Sequence, residues 1–416
     1  MKKIRRVLAL FVAVSLTVTA IGCSKEVTAE DLMANVQETN VSDEYIDDAI
    51  CNKYSMTAFK LLKDEYSYDN TNVVLSPLAY CYNLSMLSNA ANGHTKNDLQ
   101  GVLGKPYSSD YLNSLMHSFN ENLNNTDNAK LYFNNALWYN SDKNITPDPD
   151  FLTMAKSFYN ADAYRESFGK DAVSNINNWS SNKTDMYAER IITEIPSEAP
   201  FYVVNITQLE ANWESLIRPA DIFDGKFRSQ SGEEQDVQMM SSIETIYLGN
   251  ESVQGFMKMY SGGNYAFIAL VPKNQNSSLT DLIDYVSREN VYRELIKSRK
   301  DWVVVDACIP KFSCSYTGEI NSLVEKEGFG EIFSSEKANF ENMGTCDEKI
   351  YCGGIAITTG LTVTESGTKK GTGANVGNDQ TALNAIPVNL DCPFVFAVVE
   401  TKRYLPVMVG AINSVR

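Results

Sequence analysis

Two hydrophobic rhythms divide this chain of 416 residues. Early on, apolar positions fall at helical spacing: Ile46, Ile50, Tyr54, Ala58 and Leu62 recur every fourth residue and share one face of a helix. Ser76 followed by Pro77 forms an N-cap with proline at the first helical position. Beyond it the apolar residues of 78–91 run nearly all round, which predicts a buried helix. Asn92-Gly93 ends that helix, Thr95 caps a further one reaching Leu103, and 111–123 suits another. From residue 130 the pattern is dominated by β-branched and aromatic runs. Strands are expected at 130–139, 201–209, 265–271, 301–307, 354–363, 395–399 and 407–412, with helices over 149–160, 174–184 and 279–297. Helices early and long strands late, without βα alternation, predict an α+β domain with large antiparallel or mixed sheets.

Between the strands at 354–363 and 392–399 the pattern breaks. Glu365-Ser-Gly-Thr-Lys-Lys-Gly-Thr-Gly-Ala-Asn-Val-Gly-Asn-Asp-Gln380 is small, polar and Gly-rich. A loop of about 25 residues inside a compact domain is uncommon, and such loops are usually functional or disordered.

The N-terminus carries a different signal. Met1-Lys-Lys-Ile-Arg-Arg6 precedes an apolar run from Val7 to Ile21 and then Gly22-Cys23-Ser24. A basic start, a short apolar core and a small residue at its end describe a secretory signal over 1–22. Ala20-Ile-Gly-Cys23 is similar to a bacterial lipobox, which makes Cys23 the expected lipidation site and a lipid anchor the expected membrane contact. A plain signal peptide with an incidental cysteine is the alternative. Residues 23–44 are polar and acidic, as expected of a tether, and the folded domain is expected over 45–416.

Charge and composition exclude several functions. Residues 1–22 hold four basic and no acidic side chains, so their removal takes the net charge from −16 to −20. That excludes nucleic acid as a partner and argues against electrostatic adsorption to anionic lipid. Beyond Cys23 there are seven cysteines and no CxxC pair, so a metal site is not expected. Their odd number permits up to three disulfides and demands none; buried free thiols are the expectation. The two histidines, His94 and His117, neighbour no nucleophile motif, and no G-x-S-x-G, H-E-x-x-H, Walker A or dinucleotide fingerprint occurs. The chain is therefore expected to be neither an enzyme nor dependent on a cofactor.

A series of marks in register carries a resemblance to the serpin family over about 45–416. They begin with Asn72-Val-Val-Leu-Ser-Pro77, Met86-Leu87, Gly93 and Thr95, then Asn135-Ala136-Leu137, Phe168 and Ile176-Asn-Asn-Trp179. Val204-Asn205, Asn212-Trp213-Glu214, Met239-Met240, Leu270-Val-Pro-Lys273 and Ile309-Pro-Lys-Phe312 continue the series. Ala338-Asn-Phe340, Thr364-Glu-Ser-Gly-Thr368, Cys392-Pro-Phe-Val-Phe396 and 405–410 complete it. Without the family, Trp179, Trp213 and Phe312 are ordinary core aromatics, and Gly93 and Gly328 are helix ends.

The resemblance implies a serpin fold of helices and three β-sheets with an exposed reactive-centre loop at about 365–390. It also implies a mechanical function. A target protease cuts the loop and forms its acyl-enzyme; the severed loop then inserts into the main sheet and distorts the trapped enzyme. Counted by the family's spacing, the reactive bond follows Thr381, Ala382 or Leu383. No Lys or Arg lies between Lys370 and Lys402, so the implied partners are elastase-like or subtilisin-like serine proteases, or papain-like cysteine proteases. Glu365, Gly367 and Thr368 match the family's hinge. Alternation places Thr368, Lys370, Thr372 and Ala374 on the face that turns inward, where Lys370 would bury a charge. In the family, Asn205 and Trp213 lie where the sheet opens at its top, and Ser76 lies under its centre. Ile357 stands where many members carry a sheet-centre histidine. The implied protein is a secreted, lipid-anchored inhibitor at the bacterial cell surface, or extracellular, and a monomer. The alternative is a non-inhibitory surface lipoprotein of the same fold that binds a ligand or serves as a protease substrate.

Overall fold

The computed structural model describes residues 25–66, 71–123, 125–184, 188–274, 276–368 and 385–415. Among these are a seven-stranded sheet, a nine-stranded sheet, a two-stranded ribbon and nine α-helices, an α+β arrangement.

The main sheet runs in the order β1 (Glu30–Asp31), β5 (Asp162–Glu166), β3 (Ala129–Asn140), β6 (Phe201–Asn212), β14 (Cys352–Val363) and β12 (Phe312–Glu319). A short β15 (Gly367–Thr368) joins the end of β6. The second sheet runs β16 (Ile386–Asn389), β11 (Lys300–Pro310), β8 (Glu234–Gly249), β9 (Val253–Met259), β10 (Tyr265–Pro272), β17 (Phe394–Glu400), β18 (Pro406–Ile412) and β2 (Val73–Leu75), with β7 (Ile222–Arg228) also on β8. The ribbon pairs β4 (Thr146–Pro147) with β13 (Gly344–Thr345).

Helices α1 (Asp48–Glu65), α2 (Pro77–Ala90), α3 (Gly93–Leu99), α4 (Ser109–Glu121) and α5 (Pro149–Tyr159) gather with α7 (Leu279–Val286), α8 (Val291–Lys297) and α9 (Asn321–Lys326) around one core. As its pattern predicts, α2 is buried on every side except at Asn89, and the Ser76 hydroxyl accepts the Ala79 N–H at its start. Helix α6 (Lys170–Lys183) covers the opposite face of the main sheet. Ala172, Ile176 and Trp179 pack there on Trp138, Tyr202 and Val204, and the Trp179 indole donates to Asp162.

Several expectations are corrected. Thr95 caps nothing: Asn92 caps α3, which stops at Leu99, and the Thr95 hydroxyl accepts the Asn339 N–H. The helix expected over 279–297 is two, because Asn290 adopts left-handed backbone (φ 65°) between α7 and α8. The segment expected as a free tether is partly docked. Residues 30–31 pair with the open edge of β5, Glu30 bonds Arg165, and Met33 is buried. Asn175, Asn178 and Asn182 of α6 hydrogen-bond the backbone of Thr28, Glu26 and Lys25. The segment docks through main-chain bonding at the sheet edge and through its few apolar side chains, Val27 and Ala29 on one core and Leu32, Met33 and Val36 on the other.

The seven cysteines among the described residues are free thiols, as expected, but only Cys51, Cys81, Cys314 and Cys352 are fully buried; Cys308, Cys346 and Cys392 are half-buried. Burial pushes Cys308 and Cys392 up to about 11 and Cys314 up to about 12, so they remain protonated at neutral pH.

Candidate functional site at the gap between two central strands

Strands β6 and β14 lie side by side and parallel, from Phe201 opposite Cys352 to Gln208 opposite Gly360. Over that stretch nothing separates them. Beyond Gln208 they part, and the chain leaving β14 folds back into the opening: Gly367 pairs with Asn212 and Thr368 with Ala211. Thr364 and Gly367 exchange backbone hydrogen bonds across this turn (2.8 and 3.2 Å). Gly367 sits at φ 133°, and a Cβ there would collide with the Ala211 carbonyl and the Asn212 backbone. Only glycine fits.

An aromatic pair holds this turn. Trp213, just past the end of β6, donates its backbone N–H to the Ser366 carbonyl (2.9 Å) and its indole N–H to the Thr364 carbonyl (2.8 Å). Its ring stacks on Tyr260 at 4.4 Å with the planes 16° apart. The Tyr260 hydroxyl lies 2.6 Å from the Thr368 Oγ1, both buried. Burial pushes the phenol upward, so it stays protonated and able to donate. On the outer side Lys311 Nζ reaches Glu365 at 2.9 Å, and that contact holds the Glu365 carboxyl below its ordinary range.

The predicted residues thus fall into three groups. Trp213, Glu365, Gly367 and Thr368 come together at the top of the gap. Asn205 does not join them: it lies at mid-sheet, opposite Ile357, because it is seven residues before Asn212 ends β6. Its amide donates to Asn135 (2.5 Å) and its carbonyl accepts from Thr207 (3.0 Å). Ile357 is buried there, and Ser76 stays engaged with its own helix. The third group, Lys370, Thr372, Ala374, Thr381, Ala382, Leu383 and Cys23, lies outside the described residues.

Sequence reading missed Tyr260, Lys258 and the role of Lys311. A signal for Lys258 was available, since it is the lone charge in the apolar run 255–260. Tyr260 and Lys311 carry none, because their roles come from pairing across sheets. Among the described residues, one group can converge on a metal ion: His94, Asp98 and Glu331. They already bond within themselves, His94 Nδ1 lying 2.9 Å from Asp98, and Glu331 also meets Lys337. No described helix is long and apolar enough to cross a membrane.

Comparison with known proteins bears on this architecture. The family model described as "Serpin (serine protease inhibitor)" matches residues 50–415. An uncharacterized serpin-like protein of Methanosarcina acetivorans is 22% identical over 385 residues, covering 90% of this chain and 88% of its own. A leukocyte elastase inhibitor of Xenopus tropicalis is 22% identical over 329 residues, covering 77% of this chain and 86% of its own. The solved native state of the thermophilic serpin tengpin superposes with a TM-score of 0.88 at 30% identity, covering 93% of this chain and 99% of tengpin. Its latent state gives 0.78 at 28% identity, over 90% of this chain and 100% of that one. The chain belongs to the serpin family, whose members are in general protease inhibitors.

Proposed function

We propose that this serpin is a suicide inhibitor of serine proteases, and also of cysteine proteases, with elastase-like or subtilisin-like specificity. The protease cuts after Thr381, Ala382 or Leu383. The freed strand then inserts between β6 and β14 before water hydrolyses the acyl-enzyme. The protein acts as a monomer, secreted and held at the cell surface by a lipid on Cys23.

One observation carries this reading: the sheet is closed over residues 201–208, while Gly367 and Thr368 already occupy the first two positions of a strand beside β6. Insertion therefore continues an existing pairing and needs no new nucleus. Each further residue adds main-chain bonds to both neighbours, which supplies the drive. Before cutting, the loop is tethered at both ends, so the uninserted form is kinetically held.

The test is incubation of residues 24–416 with elastase-type and subtilisin-type proteases, followed by denaturing gels. A covalent complex that survives denaturation, with cleavage mapped to 381–384, is the expected result. Clean cleavage with full residual protease activity defeats the proposal. Membrane retention of a Cys23→Ala protein equal to the parent's defeats the lipid anchor.

A non-inhibitory role is favoured by one observation, the apolar side chain of Ile357 at the centre of the closed β6–β14 stretch. With no histidine there to bridge β14 to the Ser76 region, opening of the sheet follows different energetics. Rapid cleavage without trapping is the outcome that selects this second reading.

A further inference from the structure

Lys258 is a basic side chain set in the otherwise apolar run 255–260. It lies in β9 with its side chain 1% exposed. Its Nζ is 2.7 Å from Glu244 Oε1, 2.8 Å from the Ser242 hydroxyl and 3.3 Å from the Ser215 carbonyl. All three ammonium protons thus have an acceptor, and Ser242 in turn donates to Glu244 (2.5 Å). The ammonium also sits 5.2 Å from the centroid of the Trp213 ring. Burying such a pair is costly and rarely improves on apolar packing, so its value lies in direction: three fixed bonds and one cation–π contact locate their partners.

Two of those partners, Ser215 and Trp213, belong to the segment that holds the hinge, while Ser242 and Glu244 anchor Lys258 to β8. Residues 213–217 are bonded on both sides. Toward β9, Glu214 N–H donates to the Met259 carbonyl and Lys258 donates to the Ser215 carbonyl. Toward the hinge, Trp213 N–H donates to Ser366 and Ile217 N–H to Glu365. Tyr260, two residues beyond Lys258 and so on the same strand face, completes a shelf under the Trp213 ring and reaches Thr368.

We infer that Lys258, with Glu244 and Ser242, is a positioning residue for loop insertion: it fixes segment 213–217 as a stationary edge against which Thr364–Thr368 dock, so that the incoming strand starts in register. Lys258 touches neither the loop nor the protease. This role rests on the trapping mechanism proposed above.

The test compares the parent with Lys258→Met/Glu244→Gln, which removes both charges and strands neither, and with Lys258→Arg, which keeps a cation. Hydrogen exchange at the Thr364 and Gly367 amides of uncut protein reports docking of the hinge. After loop cleavage, the time course of the gain in thermal stability reports insertion. In the double variant, protection and insertion rate are each expected to fall about tenfold, the loss of one buried directional contact of this kind. Lys258→Arg is expected to stay within about twofold, since the cation and its donors remain. The fully inserted end state keeps its melting temperature, which a merely structural role would not preserve. Parent-like protection and parent-like insertion in the double variant overturn the inference. Should the double variant fail to fold, Ser242→Ala removes one acceptor while keeping the ion pair; it is expected to give the same effect in smaller degree, and parent-like behaviour there overturns the inference equally. If the cut parent never inserts, the trapping mechanism fails, while the exchange data still decide whether Lys258 positions the hinge.

Discussion

Two regions of the seam between β6 and β14 are built on opposite principles. At the top, every polar group that meets the hinge has a partner: Trp213 with Thr364 and Ser366, Tyr260 with Thr368, Lys311 with Glu365. At the centre, Ile357 faces Asn205 across β14 and β6, and buried polar atoms go unanswered. Among the described residues, the Thr359 hydroxyl on β14, two residues from Ile357, has no hydrogen-bond partner, and on α2, which packs against β6, neither has the nitrogen or the oxygen of the Asn83 side chain. Buried polar groups left this way cost free energy, whereas a satisfied network specifies one arrangement. The top is thus a fixed dock and the centre a weak seam. That division suits a sheet that must admit a strand from one end and part along its length.

The sharpest way to break this contrast is at Trp213. Its side chain is buried, stacked on Tyr260 and edge-on to Phe267. Trp213→Ala is expected to cost about 3–5 kcal/mol in chemical denaturation, through lost burial and the cavity left behind. A loss under about 1 kcal/mol, below any core truncation of this size, would show that the dock is not rigid.

Gly367→Ala comes next. The substitution forces a side chain into left-handed backbone and against the Ala211 carbonyl. A cost of about 1–3 kcal/mol is expected, concentrated in the hinge. Hydrogen exchange at Gly367 and Thr368 should quicken while β6 and β14 at 201–208 keep their protection. Uniform quickening along both strands would mean that top and centre are one cooperative unit.

The scaffold was more legible in the sequence than the dock. Ser76-Pro77 fixed the start of α2, and the apolar run at 354–363 is β14, because both signals are local. Strands β8 and β12 escaped notice: polar Thr, Ser, Glu and Gln interrupt their apolar residues, and the strand state is decided by pairing, of β8 with β11, β9 and β7 and of β12 with β14. The hinge motif 364–368 was visible, but its partners Tyr260 and Lys311 come from just past β9 and just past β11, over 50 residues away in sequence. The family resemblance sets Asn205 with Trp213 at the top of the sheet, yet an extended strand separates the two by about 26 Å at 3.3 Å per residue.

The weak seam carries a prediction of opposite sign. Asn83→Leu replaces a buried amide without partners by an apolar side chain of similar size. It is expected to stabilise the uncut protein by about 1–2 kcal/mol, the penalty of the unpaired groups. The same substitution should slow insertion if the seam must open, which a time course of thermal stabilisation after cleavage measures. Destabilisation instead would show that ordered water satisfies Asn83 and that the centre is as specified as the top.

The smallest effect concerns Glu365, and its sign follows from the direction of its shift. Lys311 depresses the folded-state pKa of this carboxyl, so the contact stabilises the docked hinge at any pH above the unfolded value, about 4.3 for a glutamate. The contribution is lost as pH falls through the depressed folded value, and between pH 5 and pH 8 it is flat. Both side chains are partly solvated, so it amounts to less than about 1 kcal/mol. Lys311→Met/Glu365→Gln removes it at all pH values. The stability difference between parent and double variant should hold constant above pH 5 and narrow toward pH 3. Many other carboxylates titrate over that range, but they cancel in the difference. A gap that instead widened on acidification would mean that Glu365 docks the hinge as a neutral acid, and the outer side of the dock would then depend on hydrogen bonding alone.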